Sequence, residues 1–295
     1  MKTETLSGKV VGCMTTFPAR FGLIKPVIES VAPQLDRFFI YVNETTSGFP
    51  DISEIENVIV LDGRDHLGDL SARGEMFPLR FINDCVVFTL DDDFIFPRDY
   101  VEKHLEILRA FNGRCAVTTH GSIFPDTVDW YYERTAFFVS RRAVNSLQLC
   151  SLAGSGTFAF DQRVFSPDPE EFMEQTMVDL KLSLLAAESG LPIWVVPRSE
   201  NWLRFLETDG LFQEFGVGGL TNHTYHARDV DFSFSKYRNI ALAAIDQEGV
   251  DIERLGLDPE LKHGLQTGER PSCWREAVRT FRSRNNYYRI LLGEG

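Results

Sequence analysis

Residues 85–99 read Cys85-Val-Val-Phe-Thr-Leu90-Asp91-Asp92-Asp93-Phe-Ile-Phe96-Pro97-Arg98-Asp99. The first six, apolar except for Thr89, are strand-length and rich enough in valine and phenylalanine to predict a strand buried on both faces. Immediately downstream, Tyr100–Phe111 carries Val101, Leu105, Leu108 and Phe111 at helical spacing, closed by Gly113. Upstream, strands are predicted at Val10–Met14, Arg37–Asn43 and Val58–Leu61, with a helix after the first whose inner face is Leu23, Val27, Ser30 and Val31. Further strands are expected at Ala116–Thr119, Thr135–Val139 and Ile193–Val196. A helix over Phe172–Ser189 precedes the last, with Met177, Leu180, Leu184 and Ala187 inward and Gly190-Leu191-Pro192 as its stop. This alternation predicts an α/β fold, a mostly parallel sheet flanked by helices.

The chain has 295 residues, 43% hydrophobic and 25% charged, as soluble globular proteins do. Its net charge of -13 repels phosphate backbones, so nucleic acid is not an expected partner. No apolar run reaches the roughly 18 residues of a membrane span. The opening Met1–Lys9 lacks the apolar core of a secretory signal. Cys13, Cys85, Cys115 and Cys150 lie in or beside apolar strands, as buried free thiols do, and no cysteine or histidine pair has zinc-finger spacing. A cytoplasmic protein is expected. Beyond Asn201 the pattern weakens into Gly216-Val217-Gly218-Gly219 and His223-Thr-Tyr-His226. Residues 1–250 are read as one domain and 251–295 as a helical extension. Residues 269–295 hold six arginines against three glutamates, with Trp274, Val278 and Phe281 on one helical stripe. Such a helix either docks on the body or lies peripherally on the inner face of the plasma membrane.

Three adjacent carboxylates at the end of a buried strand repel one another and are costly to desolvate. A bound divalent cation relieves both effects. Alternation along an extended segment lets Asp91 and Asp93 share one metal while Asp92 points elsewhere. Open α/β sheets bind ligands at the carboxyl ends of their strands. The alternative is an ordinary acidic surface turn.

From here the sequence resembles the GT-A glycosyltransferases, especially family 2-like enzymes of bacterial surface-polysaccharide synthesis. The resemblance rests on six elements in order over roughly residues 8–205. They are Thr15-Thr16-Phe17-Pro18-Ala19-Arg20, Tyr41-Val42-Asn43-Glu44, Gly68-Asp69-Leu70, the triple aspartate with its Phe-Pro-x-Asp-Tyr continuation, Gly154-Ser155-Gly156-Thr157, and Met177-Val178-Asp179. His120-Gly121 also fits its place. One element departs: where such enzymes carry glycine then lysine, this chain has Gly74-Glu75, leaving Arg73 or Arg80 to supply a cation toward the donor.

The resemblance implies a GT-A fold and a nucleotide-sugar donor, a UDP-sugar first, held with Mn2+ or Mg2+. Thr15, Thr16, Pro18, Arg20, Asn43, Asp69, Arg73 and Asp92 would meet the donor nucleotide, and Asp91, Asp93 and His226 the metal. His120, Gly156, Thr157 and Trp202 would meet sugar or acceptor, a glycan or lipid-linked hydroxyl. Trp130, Tyr131 and Tyr132 offer further stacking surfaces. Asp179 is the expected general base of an inverting transfer, with Glu171 and Glu174 as weaker rivals. Thr176 and Ser183 give its helix a polar flank. The competing readings are a retaining transferase, a sugar-1-phosphate nucleotidyltransferase, and an inactive sugar-binding subunit.

Overall fold

The computed structural model describes residues 8–128, 134–173, 177–206 and 230–274. At its centre lies an eight-stranded mixed sheet. Its strands are β1 (Val10–Thr16), β2 (Arg37–Val42), β3 (Val58–Asp62), β4 (Val86–Leu90), β6 (Ala116–Thr118), β9 (Gln148–Cys150), β11 (Thr157–Asp161) and β12 (Ile193–Val195). They lie in the order β3-β2-β1-β4-β11-β6-β12-β9. Pairing is parallel at β3–β2, β2–β1, β1–β4 and β6–β12, and antiparallel at β4–β11, β11–β6 and β12–β9. The expectation of a mostly parallel sheet holds for the first half of the chain. Insertion of β11 between β4 and β6 makes the whole sheet mixed.

Helices cover both faces: α1 (Phe21–Val31), α2 (Tyr100–Ala110), a short α3 (Glu170–Met173), α4 (Val178–Glu188), α5 (Phe234–Glu248) and α6 (Pro259–Thr267). Alternation along the strands divides the core in two. Met14, Phe88 and Leu90 face α1 and α2, while Val11, Cys13 and Val87 face the side where Val178 and Leu182 of α4 pack. In α1 the buried stripe is Ile24, Val27, Ile28 and Val31, and Leu23 is exposed. The expected inner face was therefore rotated: Ile24 and Ile28 complete the i, i+3, i+4, i+7 set, where Leu23 and Ser30 do not. Helix α2 buries Val101, Leu105, Leu108 and Phe111 as expected. In α4, Met177, Leu180 and Ala187 join one core while Val178, Leu182 and Ala186 join the other, so the helix is buried on more than one side. Leu184 is only partly buried.

Thr135–Val139 was expected as a strand and forms β8 (Ala136–Phe138), outside the large sheet. It pairs with β7 (Gly121–Ile123), which pairs with β10 (Leu152–Ala153), all antiparallel. The polypeptide after the triple aspartate makes β5 (Phe94–Ile95), paired with β13 (Arg204–Phe205). Leu261, Leu265 and Trp274 enter the same core as the sheet. Trp274, the first member of the expected amphipathic stripe, is buried against Phe234 and Tyr237 of α5, and residues 275–295 lie outside the described residues. Cys13, Cys85, Cys115 and Cys150 are buried free thiols, as their apolar settings predict. Among the described residues no helix is long and apolar enough to cross a membrane.

Candidate active site

Strands β1 and β4 run side by side and parallel, so their carboxyl ends open on the same edge. At that edge Thr16 Oγ1 donates to Asp92 Oδ2 at 2.7 Å, joining the last residue of β1 to the middle aspartate. A 3-10 turn, Pro18–Arg20, then returns the chain across the sheet edge. Arg20 is only 6% exposed, and its Nη2 lies 3.5 Å from Asp93 Oδ2. Its Nη1 is buried without a hydrogen-bond partner. Arg20 thus pairs with Asp93 and acts by its charge on Asp92, while Asp91, still within electrostatic reach of Asp93, packs toward the neighbouring strand.

There Asp91 meets β11. Its N–H donates to Gly156 O at 2.9 Å, and its carboxyl group lies over Gly156 so closely that a β-carbon there would sit 1.8 Å from Cγ. Only glycine permits this approach. Gly74 permits a second close approach, since a β-carbon there would stand 2.4 Å from Thr15 Oγ1 and 2.7 Å from the Tyr41 ring. Its absence lets the 3-10 stretch Ser71–Arg80 lie against the ends of β1 and β2 and carries Glu75 into the interior.

Glu75 is 2% exposed, and its Oε1 has no hydrogen-bond partner. Burial pushes its carboxyl up to about 8, opposed by a hydrogen bond from Ser155 and reinforced by Asp179 and Asp92. The same Ser155 donates its backbone N–H to Asp179 Oδ1 at 2.9 Å. Asp179 stands in the first turn of α4, where a carboxylate suits the helix dipole. Ser183, expected on a polar flank, is buried. Its Oγ donates to Asp179 O at 2.7 Å and accepts from Ala153 N, so it clamps the helix to β10. Around Asp91, then, stand Asp93, Glu75, Asp179 and Asp92. Its side chain is open to solvent at the mouth, while protein beneath and beside it displaces water. The carboxyl is held well above the usual range, by burial first and then by those four neighbours in that order. Burial, then Asp92, lifts Asp93 to about 6 against the pull of Arg20. Burial also raises Asp92.

No protein-family model matches this chain, and neither does any curated protein. What the site does must therefore be read from its own groups.

Several residues expected at the donor also hydrogen-bond within the protein at this edge. Asn43 Nδ2 donates to Thr15 Oγ1 and Ser71 O, and its Oδ1 accepts from Leu70 N–H. Asp69 Oδ1 accepts from Ser71 N–H, and Thr15 Oγ1 also donates to Ser71 O. Ser71, at φ 52, is thereby clamped in a left-handed conformation by three side chains. Arg73 turns its guanidinium to the carbonyls of Leu70 and Met173, and Arg80 pairs with Glu170. Among the described residues, Arg20 is the cation that pairs with the triple aspartate. Pro18 opens the 3-10 turn that carries it.

On the other flank, Thr157 Oγ1 accepts from His120 N–H and lies 3.0 Å from Thr118 Oγ1, so it ties β11 to β6. His120 is half-buried; burial depresses its imidazole, and nearby Asp179 opposes that effect. Trp202 stacks on Tyr100, donates to Asp99 and carries Lys103 over its ring. Glu171 is paired with Lys181. His223 and His226, the glycine loop 216–219, Trp130, Tyr131, Tyr132, Glu174 and Thr176 all lie outside the described residues. Ser155 and Glu75 were not singled out as site residues from sequence. The signal for Glu75 was a lone charge entering the apolar run Met76-Phe77-Pro78-Leu79.

Proposed function

We propose that this chain is a metal-dependent glycosyltransferase of the GT-A type, moving a sugar from a nucleotide-diphosphate donor to a hydroxyl of a glycan or lipid-linked acceptor. The observation that carries this reading is the convergence of two separate groups at one sheet edge. Asp91, Asp92 and Asp93 stand at the carboxyl end of β4, and Asp179 is brought beside them through the Ser155 amide.

Asp91 and Asp93 offer oxygen donors only, and each is destabilised as an anion by its surroundings. That combination fits a hard divalent cation such as Mn2+ or Mg2+. Among the described residues no three histidine, cysteine or acidic side chains converge as a metal-binding group. Two carboxylates completed by substrate oxygens is the mode in which Mg2+ is commonly held. When bound, the cation supplies positive charge that stabilises the departing diphosphate.

The protein's own groups divide the remaining work. Arg20, buried and with a free Nη1, faces negative charge at the donor and fixes Asp93. Asp92, tied to Thr16, keeps its second oxygen for a donor hydroxyl. Asp179 accepts the proton of the attacking acceptor hydroxyl, oriented by the Ser155 N–H on Oδ1. A base across the cluster from the leaving group makes the transfer inverting.

The test is a thermal-shift screen of nucleoside diphosphates and nucleotide sugars, each with and without manganese or magnesium. It is run on the native protein and on Asp91→Ala/Asp93→Ala. A ligand at about a hundred times its dissociation constant stabilises by about 2.7 kcal/mol. The expected result is a metal-dependent upward shift with one nucleotide that the double variant loses. A shift that the variant retains, or none with any nucleotide, overturns the reading.

A further inference from the structure

The groups assigned to the reaction leave open what holds the acceptor beside Asp179. In the small sheet, Leu152 of β10 stands opposite Ser122 of β7, and Ser122 opposite Phe137 of β8, so these three share one face. His120 lies two residues before Ser122, and Gly154 two after Leu152, which extends the same face toward the Gly154-Ser155-Gly156 loop. The Gly154 N–H donates to His120 O at 2.7 Å, closing that end of the sheet. That loop is the one that carries the Asp179 contact and underlies Asp91.

Phe137, on the edge strand β8, is 41% exposed, a large aromatic surface left open to solvent. Its ring meets the His120 imidazole edge to face, with centroids 5.2 Å apart at 90°. The His120 ring is in turn within electrostatic reach of Asp179. An open aromatic face, a ring nitrogen and a carboxylate therefore follow one another along one surface. The ring's negative face attracts polarised C–H groups, and the polar neighbours suit hydroxyls. Ser122 and Leu152 on the same face are buried, so the exposed part of the patch is the Phe137 ring with His120 beside it.

We propose that Phe137 is the stacking platform of an acceptor subsite that takes one pyranose ring of a glycan, with His120 bonding its hydroxyls and Asp179 facing the hydroxyl that reacts. This rests on the transferase reading and adds to it the acceptor class and the residue that selects it.

The experiment is saturation-transfer NMR with the methyl β-glycosides of glucose, galactose, N-acetylglucosamine and N-acetylgalactosamine. Native protein is compared with Phe137→Tyr, Phe137→Leu and Phe137→Ala, all in manganese with the nucleotide that shifts the native melting temperature. Leucine keeps apolar volume without an aromatic face. Transfer to the C–H protons of one ring face is expected in the native and tyrosine proteins. It should fall about fivefold in the leucine and alanine variants, the loss of one aromatic contact. The nucleotide shift should survive in every variant, which shows that fold and donor site are intact. Transfer undiminished in Phe137→Leu, or no transfer to any glycoside from the native protein while the nucleotide shift is present, overturns the subsite alone. Absence of the nucleotide shift in the native protein overturns the transferase reading and the subsite with it.

Discussion

Replacing Glu75 by glutamine should change how stability depends on pH, by an amount the structure fixes. The side chain is enclosed, has one unpartnered oxygen, and faces Asp179 and Asp92. Its carboxyl moves from an ordinary 4.5 in the unfolded chain to about 8 in the fold. Between those values the folded protein keeps a proton that the unfolded chain has released. Raising the pH therefore favours unfolding, by about 1.4 kcal/mol per pH unit, and the stabilising proton is fully present only below 4.5. From pH 5 to pH 7 this amounts to about 2.5 kcal/mol. Glutamine has nearly the shape of the protonated acid and does not titrate. The variant should match the native protein below about pH 4 and exceed it by about 0.8 kcal/mol at pH 5 and about 3.3 kcal/mol at pH 7. Urea unfolding of both proteins in chelator across this range measures the gap by linear extrapolation. Titrating groups remote from Glu75 are common to both and cancel in the difference, which leaves Glu75 and the acidic neighbours it acts on. Parallel stability curves would refute the reasoning, because they would mean that Glu75 is ionised in the fold.

Two further outcomes follow from the same geometry. Gly156→Ala must displace the Asp91 carboxylate, since the new carbon would lie 1.8 Å from its Cγ. We expect a stability loss of about 1–3 kcal/mol by overpacking, together with loss of the manganese-dependent nucleotide shift, both read by thermal melting. Asn43→Ala frees the Leu70 N–H and leaves the Ser71 carbonyl to Thr15 alone, and should lower stability by about 1–3 kcal/mol in urea unfolding without any ligand. Unchanged stability, with weakened nucleotide binding only, would return Asn43 to the donor pocket.

The elements that declared themselves in sequence are those whose burial is written in contiguous residues. β4 is five apolar or small residues buried on both faces, and its flanking helix repeats at an even 3.6-residue spacing. β11 did not declare itself. Thr157-Phe-Ala-Phe-Asp161 follows two glycines, and its partners β4 and β6 lie far away in the chain, so only pairing reveals it as a central strand. Helix α5 escaped for a different reason: its buried positions include Ala241 and Ala244, which mark no strong apolar stripe. At the site, the place of Asp91–Asp93 was legible because charge ends a buried strand. The loop-shaping duties of Asn43, Arg73 and Thr157 were not. Each rests on a backbone carbonyl or amide brought close by folding, and sequence does not display such groups.

The position of β11 also orders events during synthesis. The parallel half β3-β2-β1-β4 is complete once Leu90 is made, yet β4 then ends the sheet as an open edge. Its hydrogen-bonding partner arrives only with residues 157–161, and Asp179 later still. A nascent chain thus exposes a five-residue apolar edge tipped by three aspartates for the time taken to add some seventy residues, a few seconds at roughly 5–20 residues per second. Charge at the end of an edge strand discourages pairing with a neighbouring chain. The aspartates proposed to hold the cation would therefore first protect the unfinished sheet on the ribosome.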